Sequence, residues 1–261
     1  MSSRKIRFYT GNRVSKGLNA LRREMPNARK IKRVGSTYRG YDSHLIINWG
    51  SSEMPSYRGE ILNRPESVRK ASSKVLFFQT VPTLLVPPHA FNREDARGLL
   101  EGSKVYCRTL ARSCQGRGIV IATNEDELVD APLYTQALEV VRELRLHVFK
   151  DRVFHFVQKK KMSSERLEAE GIEINCDIRN HQNGWVFAME GVTIPQEAKD
   201  IAISAVSALG LDFGAIDMCE CTDGSYKVFE VNTSPGLEGT TLIKYKEVFE
   251  DYARSCSGFT R

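Results

Sequence analysis

No apolar run in this 261-residue chain approaches the ~20 residues that a helix needs to cross a bilayer. The opening MSSRKIRFYTG also lacks the apolar stretch of a secretory signal, so a cytoplasmic location is the expectation. Cysteine is scattered: Cys107, Cys114, Cys176, Cys219, Cys221 and Cys256 form no C-x-x-C pair and have no histidine partner at zinc-finger spacing. That removes the usual zinc-ribbon and dithiol-redox patterns and leaves free thiols in a reducing compartment as the expected state. Hydrolase and P-loop signatures are missing too, since there is neither a Gly-x-Ser-x-Gly elbow nor a Gly-x-x-x-x-Gly-Lys-[Ser/Thr] run. No internal repeat or low-complexity tract is present, and no RNP-type box marks an RNA-binding sheet.

Acid is what the beginning of the chain lacks. Residues 1–40 hold twelve Lys or Arg against the single acid Glu24, while the whole chain carries a formal charge of +6. Such a bias asks for an anionic neighbour, whether nucleic acid, an acidic polypeptide or solvent alone. The chain as a whole is 41% hydrophobic, an ordinary globular composition with enough material for two or three lobes.

Residues 5–10 and 30–34 read as short strands around an amphipathic segment with Leu18, Leu21 and Met25, and residues 42–49 add an apolar strand. This predicts a small β-α-β lobe, followed by a loop over residues 50–59. Asn63-Arg64-Pro65-Glu66 opens a helix that carries Val68, Ala71, Val75 and Leu76 toward a core, with Lys74 in its C-terminal part. Residues 105–110 and 118–122 read as strands flanking a basic, glycine-bearing loop. A second hairpin is expected from the alternating runs on either side of Lys150-Asp151. Ala198, Ile201, Ala202, Ala205, Val206 and Leu209 trace one helical face closed by Gly210.

The most telling stretch is LDFGAIDMCECTDGSYKVFEVNTSPGLEGTT, residues 211–241. Asp223-Gly224 between two alternating runs signals a two-residue hairpin turn. Pairing Thr222 with Ser225 carries down the ladder to place Asp217 opposite Glu230. Asn232 then shares their face, while Ile216, Met218, Phe229 and Val231 point the other way, into a core. Two acids directly opposed repel each other, so this face needs a cation. Two carboxylates and an amide oxygen suit a hard divalent ion that keeps its other positions for water and phosphate.

The run Val228-Phe229-Glu230-Val231-Asn232-Thr233-Ser234-Pro235-Gly236-Leu237-Glu238-Gly239 resembles the metal-binding end of ATP-grasp ligases. The wording is most similar to the ribosomal-protein glutamate ligases, with glutathione synthetases and D-alanine:D-alanine ligases further off. Over residues 62–245 the resemblance implies an α+β ATP-grasp fold in which two α+β lobes clasp ATP behind a reduced N-terminal α/β lobe. The implied boundaries are 1–65 for that first lobe, 66–138 for the small lobe and 139–261 for the large one.

By the same resemblance Asp217, Glu230 and Asn232 would hold Mg²⁺, with Mn²⁺ as the alternative. Lys74 matches the first nucleotide-contacting lysine. Arg108 stands where these families usually have a strand lysine reaching the phosphates, a departure that keeps the charge. Gln115, Gly116, Arg117 and Gly118 fall in the phosphate loop. Gln136, Ala137 and Leu138 match the hinge whose backbone reads adenine, and Glu143 the acid at the ribose. Lys159 fits the third nucleotide cation, with Lys160 one residue away as its alternative. Lys159, Arg179 and Asn180 would act on the transferred phosphate and the acyl intermediate. His147, His155 and His181 read as packing or surface groups.

The implied reaction is ligation of a carboxylate to an amine. The carboxylate takes the γ-phosphoryl of ATP to give an acylphosphate, an amine displaces phosphate, and ADP and phosphate leave. An amino acid, a peptide or an acidic protein is the expected substrate. Nucleic acid at the basic lobe and a homo-oligomer are further partner expectations. The rival reading is a nucleic-acid-binding or regulatory ATP-binding protein without ligase turnover; nucleic-acid binding of that kind would fall steeply with salt and be indifferent to Mg-ATP.

Overall fold

The computed structural model describes residues 3–32, 35–110, 118–174 and 181–255. The first sheet is parallel and four-stranded, built from β1 (Lys5–Tyr9), β2 (Arg29–Lys30), β3 (Gly40–Asn48) and β4 (Arg58–Leu62) in the order β2-β1-β3-β4. Helix α1 (Lys16–Glu24) connects β1 to β2, and Ser15 caps it by accepting the Leu18 N–H. The continuous burial of Leu45, Ile46 and Ile47 is what a parallel strand covered on both faces requires. Strand β4 lies partly where a loop was expected. Its first three residues, Arg58, Gly59 and Glu60, carry no apolar pattern, so only backbone pairing to β3 identifies it.

The next segment forms two helices, α2 (Pro65–Ser72) and α3 (Lys74–Thr80), rather than one. Ser73 is extended between them and accepts the Leu76 N–H, so Lys74 opens a helix instead of closing one. A smaller antiparallel sheet follows, with β5 (His89–Ala90), helix α4 (Arg93–Ala96), β6 (Val105–Arg108), β7 (Ile119–Ala122) and β8 (Leu133–Gln136). Its order is β5-β8-β6-β7. Ala90, Ala96, Val105, Cys107, Ala122, Leu128 and Tyr134 make its own small core.

The third sheet is antiparallel and five-stranded: β9 (Val140–Phe149), β10 (Arg152–Lys161), β11 (Trp185–Ala188), β12 (Phe213–Cys221) and β13 (Tyr226–Asn232), ordered β11-β10-β9-β12-β13. Helix α5 (Ser164–Glu170) follows β10, and α6 (Gln196–Ala208) precedes β12. One face, with Leu144, Leu146, Ile216, Met218, Val228 and Val231, packs in a single cluster with Ala198, Ala202 and Val206 of α6 and with Val68 and Phe77. At one end of the other face, Phe149 and Phe213 join Trp49, Tyr245 and Phe249 in the core that holds the first sheet.

Tyr245 and Phe249 belong to α7 (Gly239–Ser255), a 17-residue helix that no sequence signal announced. Residues 239–241 were expected in a loop. The helix begins at Gly239, whose φ is +49°, with no Ser, Thr, Asp or Asn before it to mark a cap. Its inner stripe of Tyr245, Val248, Phe249 and Ala253 is what holds it to the sheets.

Candidate active site

The acidic hairpin forms, with two local differences that cancel. The Cys221 N–H bonds the Ser225 carbonyl at 2.8 Å and the Gly224 N–H bonds the Cys221 carbonyl at 3.0 Å, so the connection is three residues, Thr222 to Gly224, not two. Gly224 takes φ +83°, the left-handed position that such a loop needs. The ladder is therefore offset by one through Met218 opposite Val228. A bulge then leaves Phe229 without a partner and restores the expected register, so Asp217 faces Glu230 and Ala215 faces Asn232. Phe229 is correspondingly not the core residue it was expected to be. Val228 is, at 0% exposure.

Alternation brings the rest of the charge onto the same face. Across the sheet, Val157, Arg145, Asp217 and Glu230 form one row, and Phe187, Lys159, Glu143 and Cys219 the next. Arg145 grips Asp217 with both forks, Nε to Oδ1 at 2.5 Å and Nη2 to Oδ2 at 2.7 Å. The Asn232 amide donates to Glu230 Oε1 at 2.9 Å and leans toward Asp217 Oδ2 at 3.5 Å. Lys74 Nζ comes to 4.0 Å from Glu230 Oε2, and Lys159 Nζ bonds Glu143 Oε2 at 2.5 Å. The Phe187 ring lies 4.3 Å from the Arg145 guanidinium and 5.8 Å from Lys159 Nζ.

The electrostatics separate the two acids. Burial opposes ionisation of Asp217, but Arg145 more than offsets it and Lys159 adds to that, so the carboxyl sits below its ordinary range. Glu230 keeps 42% of its side-chain surface, yet the protein around it still strips solvation; burial and Asp217 together push it up, against Lys74, Asn232 and Arg145. Burial works against the Arg145 charge too, and Asp217 outweighs it, leaving that guanidinium more basic than usual. Arg108 shows the reverse. Its burial wins over the attraction of Glu230 and lowers its pKa, while its Nε donates to Thr135 Oγ1 at 3.1 Å.

So Lys74, Arg108, Glu143, Lys159, Asp217, Glu230 and Asn232 converge around one patch. Gln115, Gly116, Arg117, Arg179 and Asn180 lie outside the described residues. Gly118 ends the glycine loop with φ +72°, and its carbonyl accepts the Thr109 N–H. At the hinge, the Gln136 and Ala137 N–H groups bond Pro88 and Lys104 carbonyls, and the Ala137 carbonyl accepts from Ser103. Arg145 and Phe187 were missed. Strict alternation of Glu143, Arg145 and His147 against Leu144, Leu146 and Val148 was the signal for Arg145; Phe187 carries none in isolation.

The first lobe packs closely against the turn that follows Asn232. A methyl group added at Gly17 would fall 2.8 Å from the Leu237 nitrogen, and one at Gly50 would fall 2.6 Å from Ser234 Oγ. Arg13 Nη1 donates to the Gly50 carbonyl at 3.0 Å. The Ser234–Leu237 turn after the metal-type residues is thereby walled by α1 and by the end of β3.

This architecture is the ATP-grasp fold. A D-alanine–D-alanine ligase of Bacillus anthracis aligns over 97% of this chain and 99% of its own with TM-score 0.63 and 12% identity. The ATP-grasp ligase PsnB in complex with its minimal precursor aligns over 96% and 100%, with TM-score 0.62 and 12% identity. More narrowly, residues 172–248 are similar to the RimK-like ATP-grasp domain. It is 30% identical over 201 residues to a probable alpha-L-glutamate ligase of Parasynechococcus marenigrum, covering 72% of this chain and 41% of that protein. It is 27% identical over 225 residues to the ribosomal protein bS6–L-glutamate ligase of Salmonella paratyphi B, covering 80% and 69% respectively. The chain thus spans 41% of the length of the Parasynechococcus protein, and 50% and 60% of two other probable alpha-L-glutamate ligases that it matches. Among the described residues no helix is long and apolar enough to cross a membrane.

Proposed function

We propose that this chain is an ATP-dependent carboxylate-amine ligase, forming an amide through an acylphosphate and releasing ADP and phosphate. The observation that carries the reading is the convergence of Asp217, Glu230 and Asn232 with Lys74, Arg108, Arg145 and Lys159 on one face of the large sheet. The donor set fits a hard divalent cation. Among the described residues no cluster of three His, Cys, Asp or Glu forms a self-sufficient metal cage, and a set of two carboxylates and one amide leaves coordination positions for phosphate oxygens. After Arg145 takes two lone pairs of Asp217, two remain, and Glu230 is a carboxylate pushed toward protonation by burial and by the neighbouring Asp217. Bound there, Mg²⁺ would supply charge neutralisation on the ATP phosphates.

The chain's own residues do the rest. Lys74 and Arg108 reach the phosphates from the smaller lobe of residues 66–138, while Lys159 and Arg145 offer charge from the lobe of residues 139–261. By the resemblance, Arg179 and Asn180 would serve the transferred group, Gln115, Gly116, Arg117 and Gly118 the phosphates, and Glu143 with the Leu138 backbone the nucleoside. Positioning and charge, not a histidine base, drive the step. The amine-bearing substrate, an amino acid, peptide or protein terminus, enters beside the Ser234–Leu237 turn. The names of the glutamate-ligase relatives favour glutamate as the amino acid added.

An ADP-release assay with Mg-ATP, glutamate and pooled peptides tests this. Stimulated release that Glu230→Gln abolishes is expected; a pool-independent rate equal to that of Glu230→Gln would end the ligase reading.

A further inference from the structure

The basic bias of the first forty residues is not spread over the lobe. Arg22 and Arg23 ride on α1, on the side of the first sheet that packs against α7. The other group converges on the opposite side, where Arg7, Arg29, Lys30, Lys32, Arg39 and Arg58 line a pocket of about 740 Å³ together with Tyr38, Tyr41 and residues 35–37. No acid lines it. Every lining residue comes from positions 7–58, so the pocket shares none with the patch around Asp217. Asp42 holds Arg58 at 2.6 Å; among the described residues no carboxylate makes an ion pair with the other five cations.

The walls are firm. Tyr38 donates toward or accepts from His44 Nδ1 at 2.6 Å, stacks on that ring, and packs on Tyr57, which in turn meets Tyr9 above the buried Ile31 and Ile46. These rings are spent on one another. Only Tyr41 is widely exposed, at 62%, which gives no ladder of free aromatic faces for successive bases to stack upon. What the pocket does offer is several guanidinium- and ammonium-bearing residues around one concavity, four of them arginines, whose planar forks match carboxylates.

We propose that this pocket docks an acidic stretch, rich in glutamate or aspartate, of the polypeptide acceptor, away from the reaction centre. The proposal deepens the ligase reading, and rests on it for the identity of the occupant as an acceptor. Docking at a separate acidic stretch would hold an acceptor near the cleft through successive turnovers, and a tail lengthened by acidic residues would dock better than an unmodified one.

The test uses the full chain without nucleotide. Fluorescence anisotropy is measured with a labelled oligoglutamate peptide of about ten residues at low and at physiological salt, with oligoglutamine and oligouridylate of the same length as controls. Oligoglutamate should bind, weaken as salt rises, and lose about tenfold or more in affinity when Arg29→Glu and Lys32→Glu are combined, or in Arg39→Glu alone. Both variants should keep the wild-type affinity for Mg-ATP, which shows that they are folded, and Glu230→Gln should keep the peptide affinity. No oligoglutamate binding, equal binding of oligoglutamine, indifference to both charge reversals, or tighter binding of oligouridylate would each overturn the proposal. Peptide docking without any ADP release would leave the pocket and remove the ligase; turnover without docking would do the opposite.

Discussion

Arg145 and His147 stand two residues apart on β9 and meet opposite fates, one kept charged by a partner and the other stripped of charge by its surroundings. His147 is 1% exposed, bonds the Tyr245 hydroxyl at 3.1 Å, and lies beside His155. Burial first, then His155 and Arg145, lower its pKa from 6.5 to about 3. The folded state thus binds fewer protons than the unfolded one between those values, and stability falls as pH drops through that window. His147→Gln, which keeps a polar group for Tyr245, is expected to remove up to about 1.4 kcal/mol per pH unit from that slope, read by urea unfolding at about pH 5 and about pH 7. An unchanged slope would place the proton uptake elsewhere. The expectation that His147 and His155 serve packing fits these contacts; His155 bonds Thr241 Oγ1 at 2.9 Å rather than any group of the acidic patch.

The hairpin of β12 and β13 shows how an element can be read correctly through compensating local errors. A two-residue turn was expected and a three-residue one formed, which alone would have moved Glu230 out of step; the unpartnered Phe229 absorbs the difference. Deleting Phe229 should therefore leave a regular strand in which Val228 still faces the core and Glu230 still faces Asp217. Calorimetry is expected to find Mg-ATP affinity within about threefold of wild type, because register rather than the bulge sets the face. Loss of nucleotide binding by a folded deletion variant would show that the bulge itself aims Glu230. Legibility followed the same logic elsewhere. Asp217, Glu230 and Asn232 were readable because strand alternation and a turn signal fix a face locally. Strand β4 and helix α7 were not, since Arg58-Gly59-Glu60 carries no apolar pattern and α7 has no capping residue; both form because distant partners bury Leu62, Tyr245 and Phe249. Lys74 was seen as a residue but misplaced in its helix, because a serine cap in mid-pattern reads as helix interior until Ser73 is seen extended.

On the scale of the whole molecule, cohesion is unequal. The small sheet relies on Ala90, Ala96, Val105, Cys107, Ala122, Leu128 and Tyr134, several of them small side chains, whereas the large sheet is packed on one face and at one end of the other. Amide hydrogen exchange is expected to release β6 and β7 well before β9 and β12, in a sub-global opening that leaves the large sheet protected. Simultaneous release of both sheets would mean that they unfold as one unit. The first sheet behaves differently, because Trp49 stacks on Phe213 and meets Tyr245 and Phe249 edge-on, so it shares its core with β12 and α7. That shared aromatic core sets a rule for building chimeras. A graft that exchanges the first sixty or so residues to retarget the acceptor has to bring its own α7 from the far end of the donor sequence. Without it, the seam runs through the middle of a packed stack rather than along a surface.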